Sequence, residues 1–155
     1  MTKIAATLAA AVALAALASA PALAQSATGT IQLRGSVAQS CTIQVQDMNQ
    51  SLNLVNGESN REVGRVVETC NSGTGYNITV ASANKALTSN ASGSVPVAYT
   101  LAYDNQAGNP TANLVVARAT AQFGKQSSLT VTVPASASRI AGDYADTLTV
   151  TIAAK

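Results

Sequence analysis

Apolar and polar residues alternate with a period of two through most of the chain after Ala24, and no long stretch repeats apolar residues at the spacing of an amphipathic helix. Successive side chains of an extended strand point to opposite faces, so the pattern predicts half-buried strands and an all-β domain. The clearest run sets Val95, Val97, Tyr99, Leu101 and Tyr103 on one face and Pro96, Ala98, Thr100 and Ala102 on the other. Pro96 has no N–H to offer a ladder, which assigns it to a strand start or an edge. Further runs are Ile31/Leu33, Ile43/Val45, Tyr76/Ile78/Val80, Leu129/Val131/Val133 and Leu148/Val150/Ile152, with Val63 to Val67 and Leu114 to Ala117 as strands of less definite phase. Between them stand Asn56-Gly57, Asn71 to Gly75, Asn90 to Gly93 and Asn105 to Pro110, which combine residues that tolerate turn dihedrals. About seven or eight strands at this spacing predict a sandwich of two sheets.

Two terminal segments alternate with special clarity. Gly29, Ile31, Leu33, Gly35 and Val37 form one face of the first, whose other face is polar. In the second, Leu148, Val150 and Ile152 oppose Thr147, Thr149 and Thr151, and only Ala153, Ala154 and Lys155 follow. A sandwich that finishes on a strand presents an edge, and a spare amphipathic strand at the other terminus is suited to cover such an edge on another copy.

The first residues have a different pattern. Lys3 supplies a positive charge, Ile4 to Ala20 is a nearly unbroken apolar run, and Ala22-Leu23-Ala24 places small residues where a signal peptidase reads. Residues 1–24 are therefore expected to be a signal peptide cleaved before Gln25. No basic stop-transfer cluster follows, and Cys41 lies too far away to be a lipoprotein cysteine, so no lipid anchor is expected. The destination is an oxidising compartment. With Cys41 and Cys70 the two cysteines of the chain, an intramolecular disulfide is the simplest outcome, and no CxxC spacing supports a redox-active pair.

Composition narrows function by exclusion. The chain has no His, no Trp, one Phe and four Tyr, with 10% charged residues. Triads and pairs built on histidine are excluded, as are ordinary zinc and haem sites, and neither a metal nor a cofactor is expected. A formal charge of +2 gives no field for nucleic acid. Aromatic poverty argues against a sugar platform. Asp143 and Asp146 read as acids of a turn before the last strand rather than as a general acid and base, and Asp104 to Asn109 lacks the alternating ligands of a calcium loop.

The segment Gly29-Thr30-Ile31-Gln32-Leu33-Arg34-Gly35-Ser36-Val37, followed four residues later by Cys41, resembles the start of mature chaperone-usher pilus subunits. Gly142-Asp143-Tyr144-Ala145-Asp146-Thr147-Leu148-Thr149-Val150-Thr151 resembles the ending of the archaic branch of that group, the spore coat protein U domain family, and Val97 to Asp104 is similar to an internal strand of it. One departure is Ala154, where many pilins carry an aromatic. The resemblance implies an incomplete immunoglobulin-like β-sandwich whose groove is filled first by a periplasmic chaperone and then, at an outer-membrane usher, by the N-terminal strand of the next subunit. On that reading residues 25–37 are a donor strand anchored by Ile31, Leu33 and Val37, with Gly29 and Gly35 at close approaches. Residues 38–155 are then the sandwich, with Tyr144, Leu148, Val150 and Ile152 along the acceptor edge. The expected function is a non-enzymatic subunit of a surface fimbria serving adhesion or biofilm formation. Its partners are other copies or related pilins, and nucleic acid is not among them. The alternatives are a spore or cyst coat component and a secreted monomeric binding module.

Overall fold

The computed structural model describes residues 26–155; the expected signal peptide and its cleavage site lie outside the described residues. Two compact units are distinguished, one ending at Gly35 and one running from Ser36 to Lys155. In the first, the described residues adopt neither helix nor strand.

The second unit holds eight strands: β1 (Cys41–Asp47), β2 (Glu58–Cys70), β3 (Tyr76–Ser82), β4 (Thr100–Tyr103), β5 (Gln106–Gly108), β6 (Leu114–Arg118), β7 (Gln122–Val133) and β8 (Leu148–Ala154). They form a five-stranded sheet in the order β1-β2-β7-β4-β5 and a three-stranded sheet in the order β6-β3-β8, every pairing antiparallel. All-β architecture with two facing antiparallel sheets, consistent with an immunoglobulin-like sandwich, is what alternation predicts. The core lies between the sheets: Tyr76, Ile78 and Val80 of β3 and Val116 of β6 meet Val66 and Cys70 of β2, Leu101 and Tyr103 of β4, and Leu129, Val131 and Val133 of β7.

Several strands depart from expectation for identifiable reasons. The run from Val95 to Tyr103 is not one strand. Val97 pairs with Leu87 as an isolated bridge and β4 begins only at Thr100. Val97, Tyr99, Leu101 and Tyr103 are buried as expected, but Val95, which lies between the Ser92-Gly93 turn and the first bridge at Val97, is 62% exposed. Asn105 to Pro110 is expected as a turn, yet the turn itself is Asp104-Asn105, both with positive φ, and Gln106–Gly108 returns as β5. Two consecutive left-handed residues match the twist of a tight hairpin, and Asp and Asn tolerate them. The phase of Val63 to Val67 is obscure because β2 changes register against β7 between Glu62 and Gly64, a bulge that shifts the inward set by one residue. Strands β2 and β7 also extend through segments with no hydrophobic alternation, Glu58 to Glu62 and Gln122 to Ser128, where the one large apolar residue, Phe123, is exposed.

Cys41 and Cys70 are joined by a disulfide and stand directly opposite each other in the β1–β2 register. On a chain-entropy account, closing a loop of this length is worth about 3.5 kcal/mol. Asn71 fixes the same end: its Nδ2 donates to the Ala38 carbonyl at 2.8 Å and its Oδ1 accepts from the Ser40 N–H at 2.7 Å.

Candidate functional site: a cleft between two edge strands

Register shows which strands lack a neighbour. On the inner face of β1, Cys41, Ile43 and Val45 lie opposite Cys70, Glu68 and Val66 of β2. The β2 residues are fully buried, whereas Cys41 and Ile43 are half-buried and Val45, expected on a core face, is 56% exposed. In the other sheet Leu148, Val150 and Ile152 of β8 lie opposite Ser82, Val80 and Ile78 of β3. Ile78 and Val80 are fully buried, but all three β8 residues are only half-buried. Strands β1 and β8 are the edges of their sheets on the same side of the sandwich and approach each other. Each turns a half-covered apolar face and an unpaired main-chain edge toward the space between them.

At the end marked by Asp47 of β1 and Leu148 of β8 this space opens into a cavity of about 500 Å³. Its floor is apolar, formed by Leu52, Leu54, Val63, Leu87, Tyr99 and Val131, with Tyr144 and Leu148 on the wall. Leu52 and Leu54 belong to the β1–β2 connection, which is held in place by the Asn53 side chain accepting from the Asn56 N–H at 2.9 Å and by the Ser136 N–H donating to the Val55 carbonyl at 3.0 Å. Tyr144 donates its hydroxyl to the Ile140 carbonyl at 3.0 Å. The rim carries Asp47, Asp143 and Asp146 and no cationic lining residue.

Asp146 corrects the expectation of a solvated turn acid. Its carboxylate accepts from Ser82 Oγ at 2.5 Å and Tyr99 OH at 2.6 Å, and from the N–H groups of Thr147 at 2.7 Å and Asn84 at 2.9 Å. Burial acts to raise its pKa, but these four donors outweigh burial and hold it below the ordinary aspartate value. The node joins the end of β3 to the entry of β8 and reaches across to the strand leading into β4.

A second carboxylate node occupies the opposite end. Glu68 of β2 is fully buried and accepts from Tyr76 OH and Tyr103 OH at 2.7 Å each, from Ser127 Oγ at 2.6 Å, and from Arg118 through Nε at 2.9 Å and Nη2 at 2.7 Å. Arg118 also bonds Asp104 at 2.7 Å, and Lys125 reaches Asp104 at 3.1 Å. Burial pushes the Glu68 pKa upward, and the Arg118, Ser127 and tyrosine hydrogen bonds override it, bringing it down to about 2. Burial and the neighbouring carboxylate together raise Tyr76 and Tyr103 above the usual tyrosine range. Neither node aligns an activated nucleophile with a base.

The residues expected to form a donor strand are not part of any strand within the chain. Ile31, Leu33 and Val37 are 90%, 92% and 88% exposed. A Cβ added to Gly29 or Gly35 would meet nothing within 4 Å, so the lone chain supplies no close approach at either position. Of the residues expected along the acceptor edge, Tyr144 and Leu148 line the cavity, and Val150 and Ile152 follow along β8, half-buried. Sequence reasoning missed Leu52 and Leu54 of the floor, because they sit in a polar, turn-rich connection with no strand period.

Residues 27–151 match the family model of the Spore Coat Protein U domain. The chain belongs to this family, which is associated with chaperone-usher pilus-like surface structures. No curated protein and no solved structure gives a significant match.

Proposed function

We propose that the protein is a structural, non-catalytic subunit of a surface fibre, polymerising when the N-terminal segment of one copy fills the β1–β8 cleft of another. The observation that carries this reading is the unequal burial of paired strands. From Gly64 to Cys70 of β2 and from Tyr76 to Val80 of β3 the inner faces are buried, and β1 and β8, one place further out, leave theirs half open on the same side of the sandwich. One strand lying between β1 and β8 would cover both faces and satisfy both main-chain edges. The segment from Gly29 to Val37 has the matching alternation, and its three large apolar side chains are exposed in the single chain.

Burying Ile31, Leu33 and Val37 is worth roughly 5 to 9 kcal/mol before ordering costs, at about 1.5 to 3 kcal/mol each. Main-chain pairing adds about 0.5 to 1.5 kcal/mol per bond. Until that strand arrives the open cleft favours indiscriminate association, which a periplasmic chaperone and an outer-membrane usher would prevent by covering it on the way to the cell surface. Adhesion and biofilm formation follow as uses of such a fibre. The test is thermal melting of purified protein refolded at low concentration, with and without a synthetic peptide of residues 26–40. A large rise in melting temperature with the peptide is expected; a high melt indifferent to the peptide would mean a complete monomeric sandwich.

A further inference from the structure

The apolar floor and acidic rim of the cavity ask for an occupant that is apolar on one face and cationic on the other. The rim carboxylates Asp47 and Asp143 are exposed, and none of the residues lining the cavity is Lys or Arg. Asp146 already accepts four hydrogen bonds and is committed to the fold. Among the described residues Asp47 accepts the Asn49 N–H at 2.8 Å and nothing else, and the Asp143 side chain has no hydrogen-bond partner. Arg61 donates its guanidinium to Gln50 of the cavity lining rather than to either carboxylate. The segment from Ser26 to Ser40 contains one charged residue, Arg34, and no acid. Among the described residues Arg34 bonds only to Gln32 of its own segment, at 3.1 Å. It directly follows Leu33, so in an extended strand the two point to opposite faces.

We propose that the cavity receives a second copy of this chain in a defined register, with Leu33 on the apolar floor and Arg34 of the same strand lying over the rim between Asp47 and Asp143. This inference rests on the donor-strand reading and adds to it a charge that selects partner and register. A strand slipped by one residue would place the guanidinium on the floor and the leucine in water, losing both terms together. A donor carrying an acid at this position would meet two like charges, which is how rim charges exclude wrong partners. Rim pairs of this kind act mainly on association rate and lose their effect in salt.

The experiment titrates a fluorescent peptide of residues 26–40 with the purified protein, refolded at low concentration with its disulfide intact, at low and at high salt. At low salt we expect the Arg34→Glu peptide to bind about tenfold more weakly than the unaltered one, and the Asp47→Asn/Asp143→Asn protein to bind the unaltered peptide about two- to fivefold more weakly, consistent with exposed pairs. Both differences should shrink at high salt. The Arg34→Glu peptide leaves the protein untouched, so its result is independent of how the variant protein folds. The Asp47→Lys/Asp143→Lys protein should prefer the Arg34→Glu peptide, a reversal that loss of structure does not produce. If the unaltered peptide fails to bind at any salt concentration, the donor reading falls and this inference with it. If it binds but the Arg34→Glu peptide binds equally well, the charge selection alone is overturned.

Discussion

The two ends of the sandwich each hold a carboxylate gripped by tyrosine hydroxyls, Glu68 at one and Asp146 at the other, and they balance its charge differently. Glu68 has a cation: Arg118 bonds both of its oxygens, and β6 is thereby tied to β2, β4 and β7 across the two sheets. Asp146 has only neutral donors, two hydroxyls and two backbone N–H groups. Glu68 itself is fully buried and its node is cross-linked beside the disulfide at Cys70, while the Asp146 end borders a cavity with two further exposed acids. The Glu68 carboxylate is thus fully satisfied within one chain, and the Asp146 end leaves both apolar surface and negative charge unanswered. In physical terms the first end has the features of a structural lock and the second those of a receptor.

The largest effect should come from the segment proposed to fill the open end. Leu33→Asp is expected to abolish fibre assembly, since an unpaired carboxylate on the apolar floor costs several kcal/mol, on the order of the whole aliphatic gain of the strand. Leu33 is 92% exposed in the single chain, so the substitution should leave folding alone. The variant should still be stabilised by the unaltered peptide of residues 26–40. Electron microscopy of producing cells and melting with peptide form the paired readout. Normal fibres would remove Leu33 from the anchor set, and a variant that fails to fold even with peptide would place it in its own core.

At the closed end, Arg118→Met should destabilise the protein by about 3 to 5 kcal/mol, because it strands the Glu68 carboxylate in the interior. Denaturant titration measures it. The same node predicts the acid response. The folded pKa of Glu68 lies near 2, below its ordinary value of 4.5, so its contribution is present above about pH 4.5 and is lost as pH falls through 2. Unpaired by Arg118→Met, Glu68 loses the strongest of the hydrogen bonds holding its pKa down. The stability of the variant should begin to change at higher pH than that of the wild type.

The closed end was the less legible in the sequence. Glu68, Arg118, Tyr76 and Tyr103 are spread over four strands, and nothing in their spacing announces that two sheets will bring them to one point. Tyr99 and Tyr103 could be assigned to the inner face by alternation, but alternation does not say that each hydroxyl needs an acceptor there. The open end was half legible. Leu148, Val150 and Ile152 have the period of an edge strand, and Gly29 to Val37 has the complementary one. The cavity floor, with Leu52 and Leu54 from a turn-rich connection, is set by tertiary packing and leaves no local signal. The bulge between Glu62 and Gly64 obscured the phase of β2, and the buried face of the run from Val95 to Tyr103 begins only at Val97, after the Ser92-Gly93 turn.

The smallest effect sharpens the contrast between the nodes. Asp146→Asn preserves shape and one acceptor oxygen, and since Asp146 has no cationic partner, nothing charged is stranded by the change. The loss is the charge assistance of its hydrogen bonds, worth about 1 to 2 kcal/mol in total rather than the cost of a broken buried ion pair. Its sign with pH follows from the lowered pKa: the stabilising contribution of Asp146 is present above its ordinary value of 3.8 and is lost as pH falls through the lower folded value. Wild type and Asp146→Asn should therefore differ at neutral pH and converge in acid. Chemical denaturation at a series of pH values checks this. A penalty as large as that of Arg118→Met, or one constant with pH, would show that Asp146 is balanced by a charge after all, and the distinction between a sealed and a receptive end would fail.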